Sequence, residues 1–265
     1  MKALLGDYPV TKHFKQHAPL DFAPVKAAQT AFKRVVRDLE FDFAELAIVT
    51  FLLAKAHGKP LRLLPAVVMS RFQHPFLASM KNLRPEDLEG RRVGQRSYSV
   101  TTATWIRGML EQDYGVNLDT IRWITFEEPH VAEFRDPPNV ERAPEGKDVT
   151  QMLLAGEIDA AILGERPTDS RLKFVIENPD AAAEAWRRKY GAIQVNHMVA
   201  VKNTVSRAGA DELYGMLLES RKIAGSPEMN PFGIEENRRN LEVAIDCVYR
   251  QKMIPRRYAV EELFE

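Results

Sequence analysis

Between Arg91 and Gly108 the chain reads Arg-Arg-Val-Gly-Gln-Arg-Ser-Tyr-Ser-Val-Thr-Thr-Ala-Thr-Trp-Ile-Arg-Gly. A short apolar beat at Val93 and Gly94 suits a strand. Small hydroxyl residues follow at Ser97, Ser99, Thr101 and Thr102, and then helical spacing at Trp105, Ile106, Met109 and Leu110. A strand that turns through hydroxyls into a helix gathers backbone N–H groups, side-chain hydroxyls and the positive end of a helix dipole at one point. Such a point holds a carboxylate or phosphate. The same residues also serve as a plain helix cap, with Trp105 as ordinary core, and spacing alone does not separate the two readings.

The rest of the chain supplies room for such a site. Its 265 residues suffice for one large domain or two medium ones with proper cores. Lys+Arg and Asp+Glu both number 37, so no global positive field exists to hold nucleic acid or an anionic membrane. The single cysteine, Cys247, lies in a helical pattern and has no partner for an internal disulfide. It reads as a small buried hydrophobe in a reducing compartment. The apolar run after Lys2 is too short for a signal-peptide core and ends at Asp7, so the chain reads as cytoplasmic. No stretch is long enough to span a bilayer.

Polar clusters recur just past apolar runs. Lys2 to Leu5 reads as a strand, followed by a turn with Asp7 and Tyr8 and then by Thr11 and His13. Residues past the C-terminal end of a strand are where open α/β sheets bind ligands. Helical spacing runs from Val25 to Leu39, and residues 40–44 alternate as a short strand. Glu45 then reads as the first-turn acid of a helix from Leu46 to Ala56, with a pocket role as the alternative. Leu61 to Met69 is a buried-strand run that leads into Arg71 and His74. Arg71 suits a carboxylate fork and His74 suits proton transfer near neutral pH. Ile121 to Phe126 is a further strand; His130 and Glu133 beyond it match no zinc spacing. A helix capped by Asp180 reaches Tyr190. Ala192 to Val201 is strand-like, but Asn196 and His197 interrupt it, and a polar pair in mid-strand tends to mark a site. Two helices close the chain, near residues 210–224 and 234–251.

Strands and helices alternate, so the class is α/β with mostly parallel sheets. The strands at Gly94–Arg96 and Val195–Val201 read as two hinge crossings between lobes. One lobe would hold residues 1–93 and 198–265, the other 94–197, with the polar clusters collected in a ligand cleft.

Several segments carry a family resemblance. They are residues 39–47 (Leu-Glu-Phe-Asp-Phe-Ala-Glu-Leu-Ala), Arg71-Phe-Gln-His74, Arg92-Val-Gly94, Thr101-x-x-x-Trp-Ile-Arg-Gly108, Asn196-His-Met-Val199 and residues 230–238 (Asn-Pro-Phe-Gly-Ile-Glu-Glu-Asn-Arg). In this order, across nearly the whole chain, they resemble the 4,5-dihydroxyphthalate decarboxylase family. The sequence departs from that pattern at His13 and in the loop 127–135, and it is shorter than the usual member. The resemblance implies a two-lobed, type 2 periplasmic-binding-protein-like fold. It also implies a lyase of aromatic-compound degradation that releases CO₂ from a hydroxylated aromatic (di)carboxylate.

On that reading no metal or organic cofactor is needed, because a ring hydroxyl conjugated to the carboxylate-bearing carbon supplies the electron sink. His74 or His197 would protonate the carbon. Arg71 and the Ser97, Thr101 and Thr102 helix start would hold carboxylates, and Tyr98 would contact the substrate. Asp7, Tyr8 or Glu45 would polarise the ring hydroxyl, Trp105 would stack on the ring, and Thr11 and Asn196 would line the site. Arg107 is expected to be a structural salt-bridge partner, since it points elsewhere on its helix from Trp105. The partner is a small aromatic carboxylate, not nucleic acid or membrane, and self-association is left open. The competing reading is a non-catalytic carboxylate-binding protein of the solute-binding type, because fold alone does not decide function.

Overall fold

Which strand pairs with which decides how the chain divides. The computed structural model describes all 265 residues. They separate into two units, Met1–Arg71 with Ile193–Glu265, and Phe72–Ala192.

The first unit starts with β1 (Lys2–Leu4), α1 (Pro9–His17), β2 (Asp21–Phe22), α2 (Phe32–Val36), β3 (Phe43–Ala47), α3 (Ile48–Ala56) and β4 (Leu61–Ser70). The second unit holds β5 (Leu77–Ser79), β6 (Arg92–Gln95), α4 (Thr101–Tyr114), β7 (Arg122–Thr125), β8 (Val140–Arg142), α5 (Val149–Leu154), β9 (Ala160–Ile162), β10 (Lys173–Phe174) and α6 (Pro179–Tyr190). The chain then returns to the first unit through β11 (Val195–Lys202), α7 (Arg207–Ile223) and α8 (Ile234–Arg250).

The first sheet runs β2-β1-β3-β11-β4. β1 is parallel to β2 and β3, whereas β11 is antiparallel to both β3 and β4. The second runs β10-β5-β9-β6-β7-β8, with β6 parallel to β7 and β9 but β5 antiparallel to β9 and β10. Both sheets are therefore mixed: two of four strand pairs are parallel in the first, and three of five, including β7 with β8, in the second. In each, an antiparallel strand lies beside the parallel pairs that the alternating pattern led one to expect.

Each unit has its own core. Phe14, Phe43, Leu64, Val199, Leu213 and Leu217 pack together in the first. Ile124, Met152, Leu153, Ile158 and Ala161 do so in the second. No helix is long and apolar enough to cross a membrane.

Four expectations change. The unit boundaries fall at 71/72 and 192/193, not at 93/94 and 197/198. The reason is hydrogen bonding: β6 belongs wholly to the second sheet, and His197 sits inside β11, which is zipped between β3 and β4. Glu45 does not open a helix; it is the middle residue of β3, and the helix begins at Ile48. All five residues of β3 are buried, so the strand lacks the polar–apolar alternation that would have marked it. The helical spacing over residues 25–39 yields only a 3-10 turn at Ala28–Ala31 and the short α2, because Ala31 leaves helical geometry between them. The cap of α6 is Asn178, in the left-handed conformation, and Asp180 is the second residue of the helix, paired with Arg166.

Candidate functional site

In the first unit three elements bring polar side chains to one carboxylate. β1 delivers the Gly6–Tyr8 turn, β3 delivers Glu45, and β11 delivers His197. His197 lies opposite Ala47 on β3, so Glu45 is its diagonal neighbour across the strand pair. Side chains in that relation reach each other. On its other side β11 loses regular register with β4 between Val195 and Val199. Irregular pairing of this kind re-aims a side chain, and it lets the polar Asn196 and His197 sit in an otherwise apolar strand.

Glu45 has no solvent exposure. Its Oε1 accepts from the Tyr8 hydroxyl at 2.6 Å and from His197 Nδ1 at 2.5 Å. Its Oε2 accepts from the Gly6 N–H at 2.7 Å. Burial by itself raises this carboxyl's pKa, but the hydrogen bond and charge of His197, together with Tyr8 and Gly6, outweigh it and hold the group below the usual carboxylate range. Glu45 is thus an anion at neutral pH. A carboxylate only accepts, so the hydrogen lies on His197 Nδ1 and the second ring nitrogen, Nε2, is left to exchange protons. The Phe32 ring meets the imidazole edge-on at 5.2 Å between centroids. Burial, and then the Glu45 carboxylate, push the Tyr8 hydroxyl far up, while the Arg71 charge pulls the other way. Arg71 therefore acts on this cluster electrostatically. Asn196 is buried beside His197 in β11.

Two of the residues expected here do other work. The Asp7 side chain is 90% exposed and pairs with Lys15. Thr11 is fully buried, and its hydroxyl is used by its own turn, accepting from the Tyr8 N–H and donating to the Gly6 carbonyl.

The second unit holds the remaining candidates. α4 begins at Thr101 behind Val100, which has no side chain able to cap it; no side-chain cap bond is made and no acid occupies the first turn. The Ser97 Oγ just before it is buried and makes no hydrogen bond. A helix start carries the positive end of its dipole. Thr101 is buried and Thr102 half-buried at that start.

The Tyr98 ring packs against the Arg107 guanidinium at 3.7 Å and edge-on to Trp123. Arg107 itself is fully buried and donates to Gln95 Oε1 at 2.7 Å and to the Tyr98 carbonyl at 2.8 Å. Its role is structural, as expected, but these bonds run to neutral groups. Trp105 is buried and meets Trp186 edge-to-face, so its observed partner is core. His74 is also buried; its Nδ1 has no hydrogen bond, and its ring edge meets Trp186. Burial drives its pKa down to about 4 against an opposing pull from Asp113. With that shift the ring carries no imidazolium proton at neutral pH.

Two contributors had no signal in the sequence. Gly6 acts through its backbone N–H, and Trp186 joins the aromatic group only because α6 packs there. No group of three or more His, Cys, Asp or Glu side chains is placed to hold a metal ion.

These two α/β units define a type 2 periplasmic-binding-protein-like fold. The chain aligns with the alkanesulfonate-binding protein SsuA from Xanthomonas axonopodis pv. citri bound to MOPS at a TM-score of 0.56, with 14% identity, covering 99% of this chain and 96% of that one. For the periplasmic aliphatic sulphonate binding protein SsuA from Escherichia coli the TM-score is 0.54, with 11% identity over 100% of this chain and 96% of that one. In sequence the chain is similar to two proteins called 4,5-dihydroxyphthalate decarboxylase. The one from Comamonas testosteroni is 28% identical over 197 residues, 66% of this chain and 58% of that protein. The one from Pseudomonas putida is 28% identical over 173 residues, 59% of this chain and 67% of that protein. The match therefore spans less than two-thirds of the first relative's length. No protein-family model matches the chain. The resemblance carried by the sequence motifs is borne out by these two relatives.

Proposed function

We propose that the protein is a carboxy-lyase acting on a hydroxylated aromatic carboxylate of the 4,5-dihydroxyphthalate kind, with His197 as the acid. The observation that carries this reading is the buried Glu45 carboxylate joined to His197 and Tyr8. A buried ion pair is a poor stabiliser, because desolvating the charges costs as much as their attraction returns. It is, however, what proton transfer requires. The sequence relatives supply the reaction class.

Protonated His197 gives its Nε2 proton to the carboxylate-bearing ring carbon, and the conjugated hydroxyl supports the resulting keto form. The C–CO₂ bond then breaks, its electrons restore the aromatic ring, and CO₂ leaves. One proton is consumed per turnover and His197 is recharged from solvent. Glu45 stays ionised throughout and stabilises the imidazolium. Arg71 holds a carboxylate by its guanidinium fork. The open start of α4, with Ser97, Thr101 and Thr102, is proposed as an anion holder of the second unit. The scheme uses no metal or organic cofactor.

The second reading is carboxylate binding without chemistry, which the fold of the solute-binding neighbours favours. Incubation with 4,5-dihydroxyphthalate separates the two by the CO₂ released. General acid catalysis is worth roughly 10²–10⁴-fold, so His197→Gln should cut turnover by that order with the fold intact. Tight binding of the diacid with no CO₂ from the wild-type chain would establish the binder instead.

A further inference from the structure

Two residues of the turn that follows β1, Gly6 and Tyr8, act on the same carboxylate. Gly6 approaches Glu45 through its backbone N–H, at 2.7 Å from Oε2. A Cβ at position 6 would stand 2.7 and 2.8 Å from two ring carbons of Tyr8 and 2.9 Å from Glu45 Oε2. Real side-chain carbons do not come so close, so only glycine lets the backbone reach one oxygen while the tyrosine hydroxyl reaches the other. Thr11 then fixes the geometry of that turn. Its buried hydroxyl donates to the Gly6 carbonyl at 2.8 Å and accepts from the Tyr8 N–H at 3.0 Å. Pro9 opens α1 directly behind Tyr8 and pre-sets the backbone there.

We infer that Gly6 and Thr11 are positioning residues: they lock the turn that clamps the Glu45 carboxylate, and through it they set the tautomer and orientation of the His197 ring. This rests on the reading of His197 as the acid, but its consequence for the imidazole stands apart from any reaction. With the clamp in place, both Glu45 oxygens have donors and the carboxylate remains an acceptor, so the hydrogen stays on Nδ1. The clamp also keeps the His197 proton from settling on Glu45, because three donors already favour the ionised carboxylate. Loosen the turn and Glu45 gains freedom to turn away, leaving His197 to choose its own tautomer.

The test uses the full chain labelled with ¹⁵N. Long-range ¹H–¹⁵N spectra report the protonation of each ring nitrogen, and the His197→Gln spectrum identifies the His197 signals among the six histidines. Gly6→Ala and Thr11→Val should convert His197 from the Nδ1–H form to a mixture of tautomers, with far-UV circular dichroism unchanged. Thr11→Ser keeps the hydroxyl and should restore the wild-type pattern. If decarboxylation occurs, Thr11→Val should lower kcat by about 10- to 100-fold with little change in KM, since a misplaced catalytic group costs on that order.

Gly6→Ala has the greater risk of misfolding, which is why Thr11→Val carries the test. An unchanged His197 tautomer in folded Thr11→Val overturns the inference, whatever its activity. A shifted tautomer in a protein that releases no CO₂ supports the clamp and defeats the decarboxylase reading alone.

Discussion

His74 and Glu45 are both buried ionisable groups, yet their surroundings drive them to opposite states. Glu45 finds three donors and stays charged, whereas the His74 ring is surrounded by aromatic side chains and stays neutral. This has a measurable consequence for stability. The His74 pKa is about 4 in the folded chain against 6.5 for an unperturbed histidine. Between those values the unfolded chain binds a proton that the folded chain does not, so stability falls as pH drops from about 6.5 to about 4. Above that window the group contributes no pH dependence. The loss should be on the order of 3 kcal/mol. His74→Gln should remove it, as read from urea midpoints across that pH range. A slope unchanged by the substitution would show that His74 is not the responsible group.

Single strands show how much the primary pattern can convey. Residues 61–69 read as a strand and form β4, and α7 and α8 lie where their spacing puts them. The strand at β3 is read early, over residues 40–44, because its own residues are buried on both faces and do not alternate, and Glu45 resembles the start of a helix. The contact between Glu45 and His197 joins residues 152 positions apart, so only strand pairing could reveal it. The Asn196–His197 interruption was the one local hint, since a polar pair in an apolar strand needs a partner from elsewhere.

β6 offers a prediction of its own. A Cβ on Gly94 would lie 2.5 Å from Ile158 Cδ1 and 2.9 Å from Val149 Cγ2. The missing side chain is what admits α5 and Ile158 against the sheet. Gly94→Ala should destabilise the protein by roughly 1–3 kcal/mol, the usual cost of overpacking a filled core. Chemical denaturation checks this, and a neutral result would mean that α5 shifts without penalty.

At the scale of the molecule, the chain leaves one unit after Arg71 and returns to it at Ile193. Residues 72–192 are therefore continuous, with a six-stranded sheet and a separate core. Expressed alone, they should fold with a cooperative thermal transition, as domains with their own cores do. A broad, non-cooperative melt would show that the segment depends on the remainder of the chain.

The amino-acid sequence alone determined the α/β class, most helices, the turn-to-helix start at α4 and the family resemblance. These depend on local periodicity and short-range chemistry, which neighbouring residues express directly. Tertiary structure alone decided where the chain divides, which histidine joins the buried carboxylate and which residues hold Glu45. Each of those follows from strand pairing and burial, and both depend on segments that meet only when the chain has folded.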